Sequence, residues 1–480
     1  MNKKKKTLLI GAVVLVLLIA AMLVLLFTQP KGEEDTSSVD STTSSESVYL
    51  YEEEEGSLKT LEVTNSHGTY TLEKVGEEKW GVPALDDYKV DTEMYEDVAD
   101  RYTQMSAKEK LLDTVEDKAK YGLDKPGATG VATFENGNTH TVYVGDMTPD
   151  EAGYYAMAEG DDALYIITVV NAERLLGSEL IYLDLTLLNS FDTEDAESYP
   201  TLENFTLERK DLDYKVVLEQ QPKQEASDDE NNTQMYASSL MMTAPIQCDV
   251  DAQRADEEMI MTLFGLEAEE AVALDADSVK EKYGLDDPFA KIHLEYDGRS
   301  VDMAFGDKAD DESYYMTFGK NNVVYRVKAE SVAALTVDPN NLISRLSILP
   351  YIDDVSKVKI RFQDKTYEYV LDGEDDDLSV SIDGKTVDTD NFKQLYQLIL
   401  NPSLNAIYLG EQLSDPAVEI TFEYRDGSDP DVVSMYNDGG RQMVFGINGV
   451  VNRTGRSAYL DKLEKEIQNL IDGKEVTTDW

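Results

Sequence analysis

Few residue types in this chain could carry catalytic chemistry. The single cysteine, Cys248, has no histidine near it in sequence and reads as a small buried apolar residue, not a nucleophile. One cysteine also excludes an intrachain disulfide framework and any multi-cysteine metal site. The three histidines, His67, His140 and His293, are too few for a His-rich centre. His67 and His140 fall in turn- or strand-like stretches, and His293 alternates with Ile292 and Leu294 as the outward face of a strand. There is no G-x-S-x-G, no Walker A loop and no H-E-x-x-H. The acids number 96, so no carboxylate pair stands out as a glycosidase pair. We expect a protein that is not an enzyme and takes no cofactor. The alternative is a carboxylate-based hydrolase, which requires a deep cleft with two close carboxylates.

The tyrosines offer another kind of chemistry. There are 28, against 12 Phe and 2 Trp. A tyrosine joins ring area to a hydrogen-bonding tip, which suits saccharide or protein contact. In Tyr154-Tyr155 and Tyr314-Tyr315, neighbours on a strand face opposite sides. One ring of each pair then belongs to a core, and the other is either covered by a helix or part of a recognition surface. Trp80 reads as a packing anchor between hairpin and helix.

Net charge is −53, with pI ≈ 4.2. Nucleic acid is a poor partner for such a chain, because phosphate binding needs clustered Lys and Arg. Residues 1–30 hold four lysines and no acid, so the rest carries 39 bases against 96 acids, a net of −57. That surface reads as solubility in a salty or wall-rich exterior. Specific calcium binding is the sharper alternative. Its best candidate is the loop of Asp372, Glu374, Asp375, Asp376 and Asp377, which lacks the ligand spacing and distal Glu of an EF-hand.

Residues 8–27 are uninterrupted by charge. Twenty residues of helix cover about 30 Å, the thickness of a bilayer's hydrocarbon core. Lys3, Lys4, Lys5 and Lys6 precede the run, and Glu33, Glu34 and Asp35 follow it. The N-terminus is therefore expected in the cytoplasm and the bulk of the chain outside, on a single-pass anchor in the cell membrane. A cleaved signal peptide competes, but its apolar region is shorter and ends in a small-residue site. Residues 31–47, rich in Ser and Thr, read as a flexible tether with an r.m.s. reach of roughly 20–25 Å.

The elements that position these residues recur along the chain. Asp113 stands eight residues before Tyr121-Gly122-Leu123-Asp124, and Pro126 follows; Asp275 stands likewise before Tyr283-Gly284-Leu285-Asp286, with Pro288. Gly145-Asp146, Tyr154-Tyr155 and Tyr165 then match Gly306-Asp307, Tyr314-Tyr315 and Tyr325. This is a duplication. A fainter third copy aligns residues 443–453 with 316–326 but has lost the Tyr-Gly-Leu-Asp element. Its divergence fits a terminal cap or a specialised function.

Each unit opens with a hairpin pattern, at residues 58–72, 202–218 and 358–370. Each then reaches Val-Asp at Val90-Asp91, Val250-Asp251 or Val387-Asp388, where the Asp caps a helix. An acidic insert, 220–233, reads as a mobile loop. Asp113 or Asp275 is expected to start a short helix that Gly122 or Gly284 ends in the left-handed conformation. Leu123 or Leu285 packs back on its last turn, and Pro126 or Pro288 stops it. A meander and a closing helix, 171–176 or 329–335, follow. The predicted class is α+β: an N-terminal transmembrane helix, then three tandem related units of antiparallel sheet plus helices. The expected boundaries are 1–30 for cytoplasmic lysines and anchor, 31–47 for the tether, and 48–195, 196–348 and 349–480 for the units.

The repeated Tyr-Gly-Leu-Asp-x-Pro, the strand-Gly-Asp turn and the later Tyr-Tyr resemble the bacterial domain-of-unknown-function 4340 family. The resemblance runs from about residue 111 to 346 and is weaker beyond. It implies a membrane-anchored extracytoplasmic protein, an accessory of an ABC-2-type transporter or an envelope complex. An ABC transporter permease or auxiliary subunit is the implied partner. It supplies no catalytic residue. Envelope glycan or peptidoglycan binding through exposed tyrosines is the alternative role.

Overall fold

The computed structural model describes residues 48–76, 79–221, 238–362, 365–437 and 440–479. The apolar run 8–27 and the tether 31–47 lie outside these residues, as does most of the acidic insert. Among the described residues no helix is long and apolar enough to cross a membrane.

Three antiparallel sheets of eight, nine and nine strands follow one another along the chain. Each has the same two halves. One grows outward from a hairpin: Leu58–Asn65 with Gly68–Val75, Leu202–Arg209 with Val216–Gln220, or Val355–Phe362 with Lys365–Asp372. The other is a meander whose first strand, Ala128–Phe134, Ala290–Tyr296 or Val418–Tyr424, pairs with the first hairpin strand. Burial alternates along these strands, as in Ala128–Phe134, where every second side chain is buried, so one face of each sheet is a core face.

A helix crosses that face. Asp91, Asp251 and Asp388 each accept from the backbone N–H three residues on, at 3.1, 3.2 and 2.8 Å. A carboxylate there satisfies a free N–H and faces the positive end of the helix dipole. The first and third helices, Thr92–Thr103 and Thr389–Leu400, are α-helical. The second winds as a π-helix over Gln253–Ile260, then as a 3-10 turn over Met261–Leu263. Tyr95, Val98, Ala99 and Tyr102 bury the first helix against its sheet. Burial of Val98 alone contributes roughly 1.5–3 kcal/mol of hydrophobic stabilisation.

The structure departs from the sequence reading at three places. After the crossing helix the chain makes an edge strand, Glu109–Leu112, Glu270–Leu274 or Ala406–Ile407, against the last meander strand. Glu109–Leu112 is exposed at every position, so it has no alternating pattern to betray it. The closing helix exists as Val169–Leu176 and Ala458–Ile471. In the second unit it is two 3-10 turns, Ala329–Ser331 and Ala333–Leu335. Fully buried Val332 separates them at φ −131°, ψ 81°, outside helical geometry. Third, Asp113 starts no helix. It is exposed and ion-pairs with Lys110 at 3.0 Å. The chain stays open past it because the Val115 N–H bonds Asp162 O at 2.9 Å.

The first two units share one apolar cluster, running from Tyr51 through Leu188 and Leu266 to Ile343. The third has its own, from Val355 to Val476. Ile407 is a third-unit side chain that packs on the first cluster.

Candidate functional site

The duplicated element forms a hook on the outer face of each of the first two sheets. Lys118–Tyr121 and Lys280–Tyr283 are single 3-10 turns, ended by Gly122 at φ +70° and Gly284 at φ +66°. The next N–H turns back, Leu123 to Lys118 O at 3.0 Å and Leu285 to Lys280 O at 2.8 Å. The Tyr-Gly backbone then lies on a second glycine. A Cβ on Gly145 would collide with Tyr121 O, and one on Gly306 with Tyr283 O. The strand shifts register at that point, between Val144 and Met147 and between Phe305 and Lys308, and the bulge accommodates the hook.

The tyrosine pairs serve this arrangement. Tyr155 meets Tyr121 edge-on at 4.9 Å, and Tyr315 meets Tyr283 at 4.8 Å. Lys120 and Lys282 stand 5.2 and 4.8 Å from the hook rings. The other ring of each pair faces the main core: Tyr154 packs against it, and Tyr314 stacks on Phe289 at 5.6 Å. Under the hooks Leu123, Val115, Met157 and Leu164 form one satellite cluster, and Leu285, Tyr283, Ala276 and Val324 another. Asp124 and Asp286 are exposed, and Pro126 and Pro288 are half-buried. Asp275, at φ +51°, precedes the short helix Ala276–Val279 without a capping bond. It receives Tyr88 and Asn322 side chains, each at 3.4 Å. The hook residues are thus brought together for packing. In the third unit the outer face carries a smaller cluster, Tyr436, Val444 and Val451 with Tyr408 and Leu413.

A different site lies between the second and third units, a cleft of about 960 Å³. Gln247, Cys248 and Asp249 form one side. The third unit supplies Asp353, Asp354, Glu374, Asp375, Asp426, Asp429 and Asp431 on the other. None of these eight carboxylates has an ion-pair partner among the described residues. Arg425 stands among them, yet its Nε donates to Asp353 O at 2.6 Å and its Nη2 to Gly373 O at 2.8 Å. Asp431 accepts from Tyr424 Oη at 2.5 Å and Asn448 Nδ2 at 2.8 Å. Burial, and then Asp353, Asp426 and Glu374, push the Asp354 carboxyl above the usual carboxylate range.

The deep side holds two adjacent strand residues. Arg453, 3% exposed, donates Nη1 to Leu346 O at 3.0 Å and Nη2 to Ser347 O at 3.2 Å, and its Nε has no partner among the described residues. Asn452, 8% exposed, donates Nδ2 to Gln247 O at 2.8 Å and leaves Oδ1 without a partner among the described residues. Burial pushes the Cys248 thiol up to about 11, so it is protonated at neutral pH and a poor nucleophile. Among the described residues no three His, Cys, Asp or Glu side chains converge as metal ligands, the acidic loop 372–377 included. His293 bonds Asp302 at 2.7 Å and Glu295 at 3.2 Å, and His140 bonds Glu53 at 2.8 Å. Sequence reading did not find the cleft, whose walls lie more than a hundred residues apart in the chain. Its local signals are the acidic loop 372–377, singled out in the sequence and supplying Glu374 and Asp375, and the acid-rich stretch 426–431.

No curated protein and no solved structure matches the chain. A family model described as Domain of unknown function (DUF4340) matches it twice, over residues 80–244 and 241–406. Both matches run out of step with the sheets, each starting near the end of one hairpin half and running into the next sheet. With more than half its length matched in two tandem copies, the chain belongs to the DUF4340 family.

Proposed function

We propose that the protein is a non-enzymatic, single-pass, membrane-anchored extracytoplasmic interaction module, an accessory of an ABC-2-type transporter or envelope complex. The observation that carries an interaction role is the cleft, a concave surface with unpaired charge between two units joined by polar contacts. The anchor rests on the apolar run 8–27 and its flanking charges. The transporter partner rests on what the family resemblance implies. Copurification of the full-length chain in mild detergent tests it, with a permease or auxiliary subunit expected in the eluate. Recovery of the chain alone, or of its bulk from the cytosol, overturns the reading.

A carboxylate hydrolase is the second reading, favoured by the raised Asp354 carboxyl beside Asp353. Cleavage of cell-wall glycan by the full chain, abolished in Asp354→Asn, is its test.

A further inference from the structure

The cleft between the second and third units carries a large excess of negative charge. Eight carboxylates line it against two cations, Arg425 and Arg453, and the Arg425 hydrogen bonds go to two backbone carbonyls and not to the carboxylates. Like charges held together at the mouth of a low-dielectric cleft focus a potential that only a cation relieves. Beside the acidic wall stands an independent feature. Asn452 is more than nine-tenths buried and lines the same cleft. Its Nδ2 is fixed on Gln247 O, which fixes the amide orientation and leaves Oδ1 as an acceptor with no donor among the described residues. A buried acceptor left unmade is unfavourable, and an N–H donor arriving with positive charge satisfies both features.

We infer that this cleft is a binding site for a ligand carrying alkylammonium groups. Asp353, Asp354, Glu374, Asp426 and Asp429 form its anionic wall, and Asn452 Oδ1 accepts one ammonium hydrogen bond. A bare metal ion fits less well, because no three ligating side chains converge among the described residues. An ammonium needs no such convergence, since it pairs with carboxylates singly and at longer range. The buried Arg453 guanidinium, fixed on Leu346 O and Ser347 O, keeps positive charge away from its end of the cleft. The ligand's cationic groups are thereby directed to the acidic wall and to Asn452. This assignment goes beyond the accessory role and does not depend on the membrane anchor or on a transporter.

The test is calorimetric titration of the full-length chain in detergent, at fixed ionic strength, with spermidine, a five-lysine peptide and calcium chloride. Saturable binding of one spermidine or one peptide per chain is expected. The tighter of the two identifies the source as a free polyamine or a basic protein segment. Asp354→Asn combined with Asp426→Asn should weaken binding by about tenfold or more, and Asn452→Ala should weaken it with no change in net charge. Asp192→Asn combined with Glu194→Gln, two exposed residues between the first two units, removes the same charge and should leave affinity unchanged. Thermal melts confirm that each variant is folded. Equal weakening by the remote pair, unsaturable heats, or calcium binding that excludes spermidine overturns the assignment.

Discussion

Where the first two units meet, the N–H groups of Leu187 and Leu188 both turn to Leu266 O, at 2.9 and 3.2 Å, and the N–H of Ala268 turns to Leu185 O at 2.9 Å. Leu187, Leu188 and Leu266 are themselves buried, so the apolar cores on either side run together. Where the second and third units meet, the bonds are as numerous but the filling differs. Leu404 N–H reaches Arg345 O, Ser347 N–H reaches Leu400 O, and Asn452 and Arg453 send side chains onto carbonyls of the second unit and the connecting segment. Beside them the space is a cleft lined with acids, and apart from Ile407, which packs on the first cluster, the cores stay separate. Water-excluding contact makes two units one cooperative body, whereas polar contact leaves two bodies able to shift against each other. The duplication therefore produced two kinds of seam, and the acid-lined cleft lies at the seam with the divergent copy.

The sharpest way to break this comparison is Leu266→Ala. Loss of a buried leucine at the fused seam should cost about 2–5 kcal/mol. Hydrogen exchange on the full-length chain should show protection falling together across the first two sheets and unchanged in the third. Loss confined to the second sheet would refute the shared core. Gly306→Ala should cost about 1–3 kcal/mol by forcing a methyl against Tyr283 O. The same change at Gly145 should match it, in denaturant titrations followed by circular dichroism. Arg453→Met, at the polar seam, should cost about 1–3 kcal/mol through the carbonyls of Leu346 and Ser347. Its expected mark is faster proteolysis near residues 344–352 with the first two sheets intact.

The smallest effect is on pH dependence, and its sign differs between the two regions. Hydrogen bonds from His140, Asn138 and Asn136 hold the Glu53 carboxyl below its usual range. Its contribution is present above the unfolded-state value and is lost as pH falls through the folded one. Asp354 is raised, so in the folded state it holds its proton to higher pH than in the unfolded chain. Stability at its site falls as pH rises through that window. Glu53→Gln should therefore lower the melting temperature at pH 7 and converge on the parent in acid. Asp354→Asn should raise it at pH 7 and also converge in acid. Melts between pH 3 and 7 check both.

Local chemistry was legible in the sequence and assembled chemistry was not. The helix-capping Asp91, Asp251 and Asp388 act on N–H groups three residues away, so one turn of sequence contains the whole interaction. Hairpins carry their alternation on the strand itself. The repeat was readable because its glycines meet backbone, where no other residue fits. The strand Glu109–Leu112 was hidden because an edge strand with exposed side chains needs no pattern. The part played by Tyr155 was equally hidden, since nothing in a Tyr-Tyr pair says that the outer ring lies under Tyr121. Gln247, Asp354, Asp426 and Asn452 meet only once two sheets have folded, and no spacing announces them.

The hairpin of each sheet lies beside the first strand of its meander, and this decides where the polypeptide can be cut. A fragment trimmed to the family match, 80–244, would carry Ala128–Phe134 without Leu58–Asn65 and Leu202–Arg209 without Ala290–Tyr296. Two central ladders would become raw edges, and unpaired edges seek another chain. Recombinant pieces of this protein should be trimmed where one sheet ends and the next begins, since pieces cut in the alignment's frame are set to aggregate.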